Sequence, residues 1–197
     1  GIVQTGPIRQ VLFDKGLIPG QVSRLKIPAL DRGQKVKGLA AFADGMATLP
    51  LVYEPGTKWS YSSGLDLMGR LIEVVSGQSF DAFLQERFFG PLGMASTGFR
   101  VAAKDAGRLA TNYGVLAGKL VPIDPPETSV YLDEPGFLYG GAGLVSTPRD
   151  YDRFLRMLVN GGVVDGKRVM SERAVALGTS NLLPDGVQTR GTFAENA

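Results

Sequence analysis

The sequence predicts an α+β chain that is mainly helical, and three observations carry that reading. Apolar residues recur at helical spacing in several separate runs, most strongly from Leu65 to Val75. Between about residues 95 and 145 the pattern changes to short, weakly alternating segments. Glycine and proline, 27 and 12 of the 197 residues, punctuate the boundaries.

Taken in order, "TGPIRQVLFDKG" reads as a short helix with Pro7 at N1, Ile8, Val11 and Leu12 on one face and Gly16 as its stop. "KVKGLAAFADGMATLP" is a second helical pattern, with Leu39, Phe42 and Met46 on one side and an end before Pro50. The strongest run follows: Leu65, Met68, Leu71, Ile72 and Val75 form a stripe expected to be core. Ser63 with Asp66 three residues on resembles a capping box, and Gly77 closes the helix. A further helix carries Phe80, Phe83, Leu84 and Phe88 and breaks at "GPLGM".

"RLATNYGVLAGKLVPI" predicts a hairpin turning near Gly118, followed by Pro125-Pro126 and a glycine-rich loop. "STPRDYDRFLRMLVNGG" restores a helix, with Thr147 as N-cap, Pro148 at N1 and Asp150 completing a box. Its expected buried face is Tyr151, Phe154, Leu155 and Leu158, and it stops at Gly161. Asp165-Gly166 suits a type I′ hairpin turn, and Ser171 caps a last helix. The chain thus divides into a helical lead-in over 1–50, a central helical pair over 51–100, a hairpin and glycine-rich loop over 101–145, and closing helices with a hairpin over 146–185.

Composition excludes several kinds of chemistry. A net charge of +2 arises from 21 basic and 19 acidic residues that are scattered, so no nucleic-acid face is expected. The tightest basic group, Arg24, Lys26, Arg32, Lys35 and Lys37, reads as a solvated loop and helix face. The absence of cysteine rules out disulfides and a cysteine nucleophile within the chain. Without histidine, neither a Ser-His-Asp triad nor a histidine-based zinc site can be built from these residues. No apolar run reaches the roughly 18 residues of a membrane span, and "GIVQTGPIRQ" lacks the regions of a signal peptide. A start without Met and an end within "GTFAENA" lead to the expectation of an excised piece.

Few residues remain as candidates for chemistry. "YGGAGLVSTP" has glycines ahead of a helix but no GxxxxGK[ST] pattern and no lysine, which favours close backbone packing over phosphate binding. Asp133 with Glu134, and Glu54, read as solvated loop carboxylates with no fixed spacing. Tyr61, alone, reads as a half-buried aromatic with a satisfied hydroxyl. It can also shuttle a proton where cations lower its pKa, the substitute base that a histidine-free serine hydrolase needs.

The surrounding residues favour the second reading. "YEPGTKWSYSSGLDLMGRLIEVVSGQSFDAFLQERFFGPLGMASTGF" resembles the serine β-lactamase and penicillin-binding superfamily, most of all the class C-like branch with family VIII carboxylesterases and D-aminopeptidase relatives. A second block, "GGAGLVSTPRDYDRFLRMLVNGGVVDGKRVMSERAV", is similar to a later segment of the same family, so the resemblance covers roughly residues 35 to 185. It implies a partial β-lactamase-like domain over 1–197, with small hairpins and the main antiparallel sheet largely missing.

By the same resemblance, Tyr61 matches the tyrosine of the family's Tyr-x-Asn motif, general base toward the nucleophilic serine and then acid toward the leaving group. Ser63 stands where the lactamases place Asn, at a substrate-binding position, and that departure looks more like the esterase branch. The family's Ser-x-x-Lys nucleophile motif has one literal match, Ser23 to Lys26, in a polar stretch close ahead of Tyr61 and cut short by Pro28; we reject it. The Lys-Thr-Gly strand motif has no match.

The expected activity is therefore acyl transfer on small esters through an acyl-serine, without metal or cofactor, with the nucleophile and oxyanion strand outside the chain. A β-lactamase or D-amino-acid peptidase, and a non-catalytic ligand-binding or scaffold module, are the alternatives. The chain alone is expected to be inactive, to take a small ester or lactam only as part of the whole, and to self-associate through an exposed core face.

Overall fold

A computed structural model describes residues 38–51, 53–59 and 63–187. The expected helix near Pro7 and the Ser23–Lys26 pair lie outside the described residues. The described part is mixed α and β, with helices carrying most of the order and two small antiparallel hairpins.

Helix α1 (Gly38–Ala47) buries Leu39, Phe42 and Met46, as its spacing requires. Phe42 meets Phe137 edge-on at 5.1 Å, and Phe137 meets Tyr139 at 4.7 Å, so the segment after the hairpin closes over α1. These residues, with Phe80 and Phe99, form one core.

Helix α2 (Gly64–Ser76) ends as expected at Gly77, whose φ of +71° lets its N–H reach the carbonyl of Glu73. Its packed face differs from the expected stripe. Leu71 is 49% exposed and Val75 79%, and Leu65 and Met68 are also exposed. The buried residue is Gly69, onto which Leu39 and Phe80 close so tightly that a Cβ there would lie 3.1 Å from Leu39 Cδ1. Ile72 packs partly on the same core, at the edge shared by both faces. At roughly 100° per residue, the packed face is rotated by about a quarter turn from the apolar stripe. Periodicity marks an apolar face, whereas contact follows the side to which α1 and Phe80 come, and that side is the small one.

Helix α3 (Phe80–Leu84) runs on through a π-helical turn, Gln85–Phe89, and a last turn, Gly90–Leu92. Gly93, with φ +66°, ends it where "GPLGM" predicts a break. The π turn holds an extra residue per turn and shifts the register, so Phe89 becomes the buried aromatic while Phe88 stays half-buried. As a result Phe80 lies in the first core and Phe89 in a second, with Leu92, Met94, Met157 and Val164; Leu84 touches both.

Strands β1 (Asn112–Leu116) and β2 (Lys119–Asp124) pair antiparallel, with Leu116 opposite Lys119 and a bulge at Asn112/Tyr113. Ala117 and Gly118 both take positive φ, 49° and 75°, which places the turn where Gly118 predicts it.

Helix α4 (Pro148–Val159) begins as expected: the Thr147 hydroxyl accepts from the Asp150 N–H, and Pro148 stands at N1. Its buried face is again about a quarter turn from the expected one. Met157 is fully buried and Phe154 and Leu158 half-buried, while Tyr151 and Leu155 are exposed. Strands β3 (Val163–Val164) and β4 (Lys167–Arg168) turn through Asp165 and Gly166, both at positive φ. In helix α5 (Glu172–Gly178) the Ser171 hydroxyl caps the Ala174 N–H. Among the described residues no helix is long and apolar enough to cross a membrane.

Candidate active site

The approach to α2 is a tight turn. Thr57 returns both its N–H, at 3.2 Å, and its hydroxyl, at 2.7 Å, to the Glu54 carbonyl, and Gly56 supplies the φ of +84°. Tyr61 lies outside the described residues.

Ser63 is 1% exposed. Its carbonyl opens α2, accepting the N–H groups of Asp66 at 3.1 Å and Leu67 at 3.2 Å, but its side chain does not cap the helix. The expected capping box is therefore not formed. Asp66 turns outward, and its Oδ1 accepts the N–H of Gly140 at 2.9 Å and of Gly141 at 3.4 Å, so the two partners lie 74 and 75 residues further along the chain.

This contact explains the glycine-rich loop. A Cβ on Gly140 would stand 1.9 Å from the Leu65 carbonyl oxygen, so only glycine allows the loop backbone to lie against the first turn of α2. The loop is close backbone packing, as the absence of a phosphate-loop pattern predicts. Burial pushes the Asp66 carboxyl above its ordinary 3.8, while the N–H bonds from Gly141 and Gly140 act the other way. Downstream, Gly98 and Val145 exchange backbone bonds at 3.1 and 2.9 Å, and the hydroxyls of Thr97 and Ser146 meet at 2.8 Å.

Glu54 and Asp133 are exposed, and the exposed Glu134 pairs with Arg100. Among the described residues no group of acidic side chains has the arrangement of a metal site. A cavity of about 400 Å³ opens between α3 and α4, lined mainly by Leu84, Phe88, Phe89, Met94, Leu144 and Phe154. It shares no lining residue with the Ser63–Asp66 corner. Asp66 is the residue that sequence reasoning placed wrongly: its position three after Ser63 signals a helix start, but a local pattern does not reveal whether a carboxylate turns back or reaches out.

Comparison with known proteins places the chain. An uncharacterized protein of Mycobacterium tuberculosis is 36% identical over 179 residues, 89% of this chain and 42% of its own length. Penicillin-binding protein 4 of Amycolatopsis lactamdurans is 34% identical over 75% of this chain and 38% of its own. Lovastatin esterase of Penicillium rubens is 32% identical over 60% of this chain and 31% of its own. The chain thus spans about two fifths or less of the length of these relatives. Among solved structures, EstCE1, a hydrolase with promiscuous acyltransferase activity, superposes with a TM-score of 0.59 at 26% identity, over 71% of this chain and 39% of that one. The β-lactamase family model matches residues 16–194, and the chain belongs to the β-lactamase family.

Proposed function

We propose that this chain is the tyrosine-bearing part of a serine hydrolase that transfers acyl groups from small carboxylic esters. The observation that carries the reading is the segment Tyr61-Ser62-Ser63 at the mouth of α2, in a chain that the β-lactamase family model matches from residue 16 to 194. In the proposed cycle a serine hydroxyl, supplied by a part of the enzyme outside this chain, attacks the ester carbonyl carbon as the Tyr61 phenolate takes its proton. The bond from that carbon to the alkoxy oxygen breaks, and Tyr61 returns the proton to the departing alkoxide. Water then repeats the exchange on the acyl-serine and releases the acid.

Ser63 supports an ester over a lactam, because a short hydroxyl replaces the longer amide that the lactamases place there. The esterase relative agrees with that preference. The penicillin-binding relative favours a second reading, in which the same acyl chemistry opens a lactam or cleaves a D-amino-acid peptide. In either case this chain alone is inactive, and its exposed α2 stripe, including Leu71 and Val75, drives self-association.

The test uses the full-length enzyme with a short-chain nitrophenyl ester and a chromogenic lactam. Tyr61→Phe is expected to lower ester turnover about 10²-fold or more, the scale of general acid and base catalysis. Near-wild-type turnover removes Tyr61 from the mechanism. Faster turnover of the lactam than of the ester selects the second reading.

A further inference from the structure

We infer that the cavity between α3 and α4 binds a small neutral aromatic alcohol, a ring of the phenol class with its hydroxyl as donor; this goes beyond the acyl-transfer reading and does not depend on it. Size comes first. A dry apolar cavity of about 150 Å³ suffices for benzene. This one measures about 400 Å³, room for one ring with a short alkyl tail. Phe88, Phe89 and Phe154 on its wall offer faces and edges to a further ring. None of its lining residues is charged, so an ion that entered would lose its hydration without gaining a partner. The ligand is therefore neutral.

Its polar end follows from the direction of the hydrogen bonds. Besides the exposed Tyr151, the polar residues of the wall are Thr97 and Ser146, whose hydroxyl oxygens stand 2.8 Å apart. Asp150 is buried and its carboxylate can only accept. Its Oδ2 takes the Thr97 hydroxyl proton at 2.9 Å, together with the Ser96 N–H at 2.8 Å. A hydroxyl has one proton, so the bond between Thr97 and Ser146 is donated by Ser146. The other acceptor near that proton, the Thr147 carbonyl, is 3.4 Å away and loses the competition. With its proton committed, the oxygen of the exposed Ser146 keeps acceptor capacity alone. A buried carboxylate thus sets the polarity of the cavity two hydroxyls away: it favours a ligand that donates over an ether of the same shape.

The test follows the methionine methyl resonances of the full-length protein during titration with para-propylphenol and with para-propylanisole, which keeps the oxygen but has no proton to donate. Met94 lines the cavity, whereas Met46 lies in the other core. The phenol is expected to shift Met94 saturably and leave Met46 in place, and the anisole to bind about three- to tenfold more weakly, the worth of one hydrogen bond. Ser146→Ala, at an exposed position, is expected to bring the phenol to within about twofold of the anisole. Leu144→Trp, on an exposed part of the wall, fills the space and should abolish binding of both. A Met94 methyl that stays unmoved up to the solubility of the phenol overturns the inference, because another part of the full-length protein then occupies the space. Equal affinity for the two probes overturns it as well, and so does Ser146→Ala with the preference for the phenol retained. Undiminished phenol binding in a folded Leu144→Trp puts the ligand elsewhere and has the same consequence. Should Ser146→Ala fail to fold, the two probes on the wild type still decide between a donor site and a merely apolar one.

Discussion

Helices α2 and α4 begin with the same pattern, a hydroxyl residue followed three positions on by an aspartate: Ser63 with Asp66, and Thr147 with Asp150. At α4 the hydroxyl caps the helix, Thr147 Oγ1 accepting the Asp150 N–H at 3.2 Å. At α2 no such bond forms. Yet both carboxylates reach away from their own helix. Asp150 accepts the Ser96 N–H at 2.8 Å and the Thr97 hydroxyl at 2.9 Å, while Asp66 accepts from Gly140 and Gly141. The difference teaches that an acidic third position can serve as a long-range tie whether or not the cap is made. At α4 the tie and the cap coexist and lock a structural corner. At α2 the tie forms without the cap and joins the first turn of the helix to a distant loop.

The largest test of this comparison lies in the faces that the two ties orient. Met157 on α4 is fully buried, so Met157→Ala is expected to cost about 2–5 kcal/mol in urea unfolding of the full-length protein. Leu71 on α2 is 49% exposed, so Leu71→Ala is expected to cost below about 1 kcal/mol. A large loss at Leu71 would mean that another part of the full-length protein covers the α2 stripe, and that the two helices are equally enclosed.

How much of this was readable from residues alone follows from which interactions are local. Helix ends, the turns at Ala117-Gly118 and Asp165-Gly166, and the Thr147 and Ser171 caps depend on neighbours within a few positions, and they stand where the sequence puts them. The faces of α2 and α4 do not, because apolar spacing defines a stripe without naming its partner. In both helices the packed side is displaced from that stripe, to Gly69 in α2 and to Met157 in α4. The register of α3 was hidden for another reason: a π turn leaves apolar spacing locally ambiguous, and Phe89 replaced Phe88 in the core. At the candidate site, the close packing of "GGAG" was readable. The tie from Asp66 was not, since it spans 74 residues.

A second test of intermediate size compares the two aspartates directly. Asp150 is buried and satisfied by two donors, so Asp150→Ala is expected to cost about 3 kcal/mol, with the Ser96 N–H and Thr97 hydroxyl losing a charged acceptor. Asp66 adds a pH dependence. Its folded carboxyl holds its proton more tightly than an ordinary carboxyl of 3.8, so its contribution to stability is full below that value and falls as pH rises through the raised one. Asp66→Asn removes this loss. Unfolding free energies measured from about pH 3 to pH 7 should therefore show the variant gaining on wild type as pH rises. A gap moving the other way would show that the glycine N–H bonds outweigh burial, and that Asp66 is held as a carboxylate by its tie.

The smallest effect concerns the segments that lead into the two helices. At the entry to α4 the hydroxyls are engaged, Ser146 with Thr97 and Thr147 with the Asp150 N–H. Ahead of α2, the Tyr53 hydroxyl is buried without a hydrogen-bond partner among the described residues. A buried hydroxyl left unmatched sacrifices its bonds to water and gains nothing in return, whereas phenylalanine fills nearly the same volume without that cost. Tyr53→Phe is therefore expected to leave stability unchanged or to raise it by up to about 1 kcal/mol, read as a midpoint shift in urea at constant slope. A loss of more than about 1 kcal/mol would show that the hydroxyl is bonded in the full-length protein, and that the approach to α2 is as fully satisfied as the approach to α4.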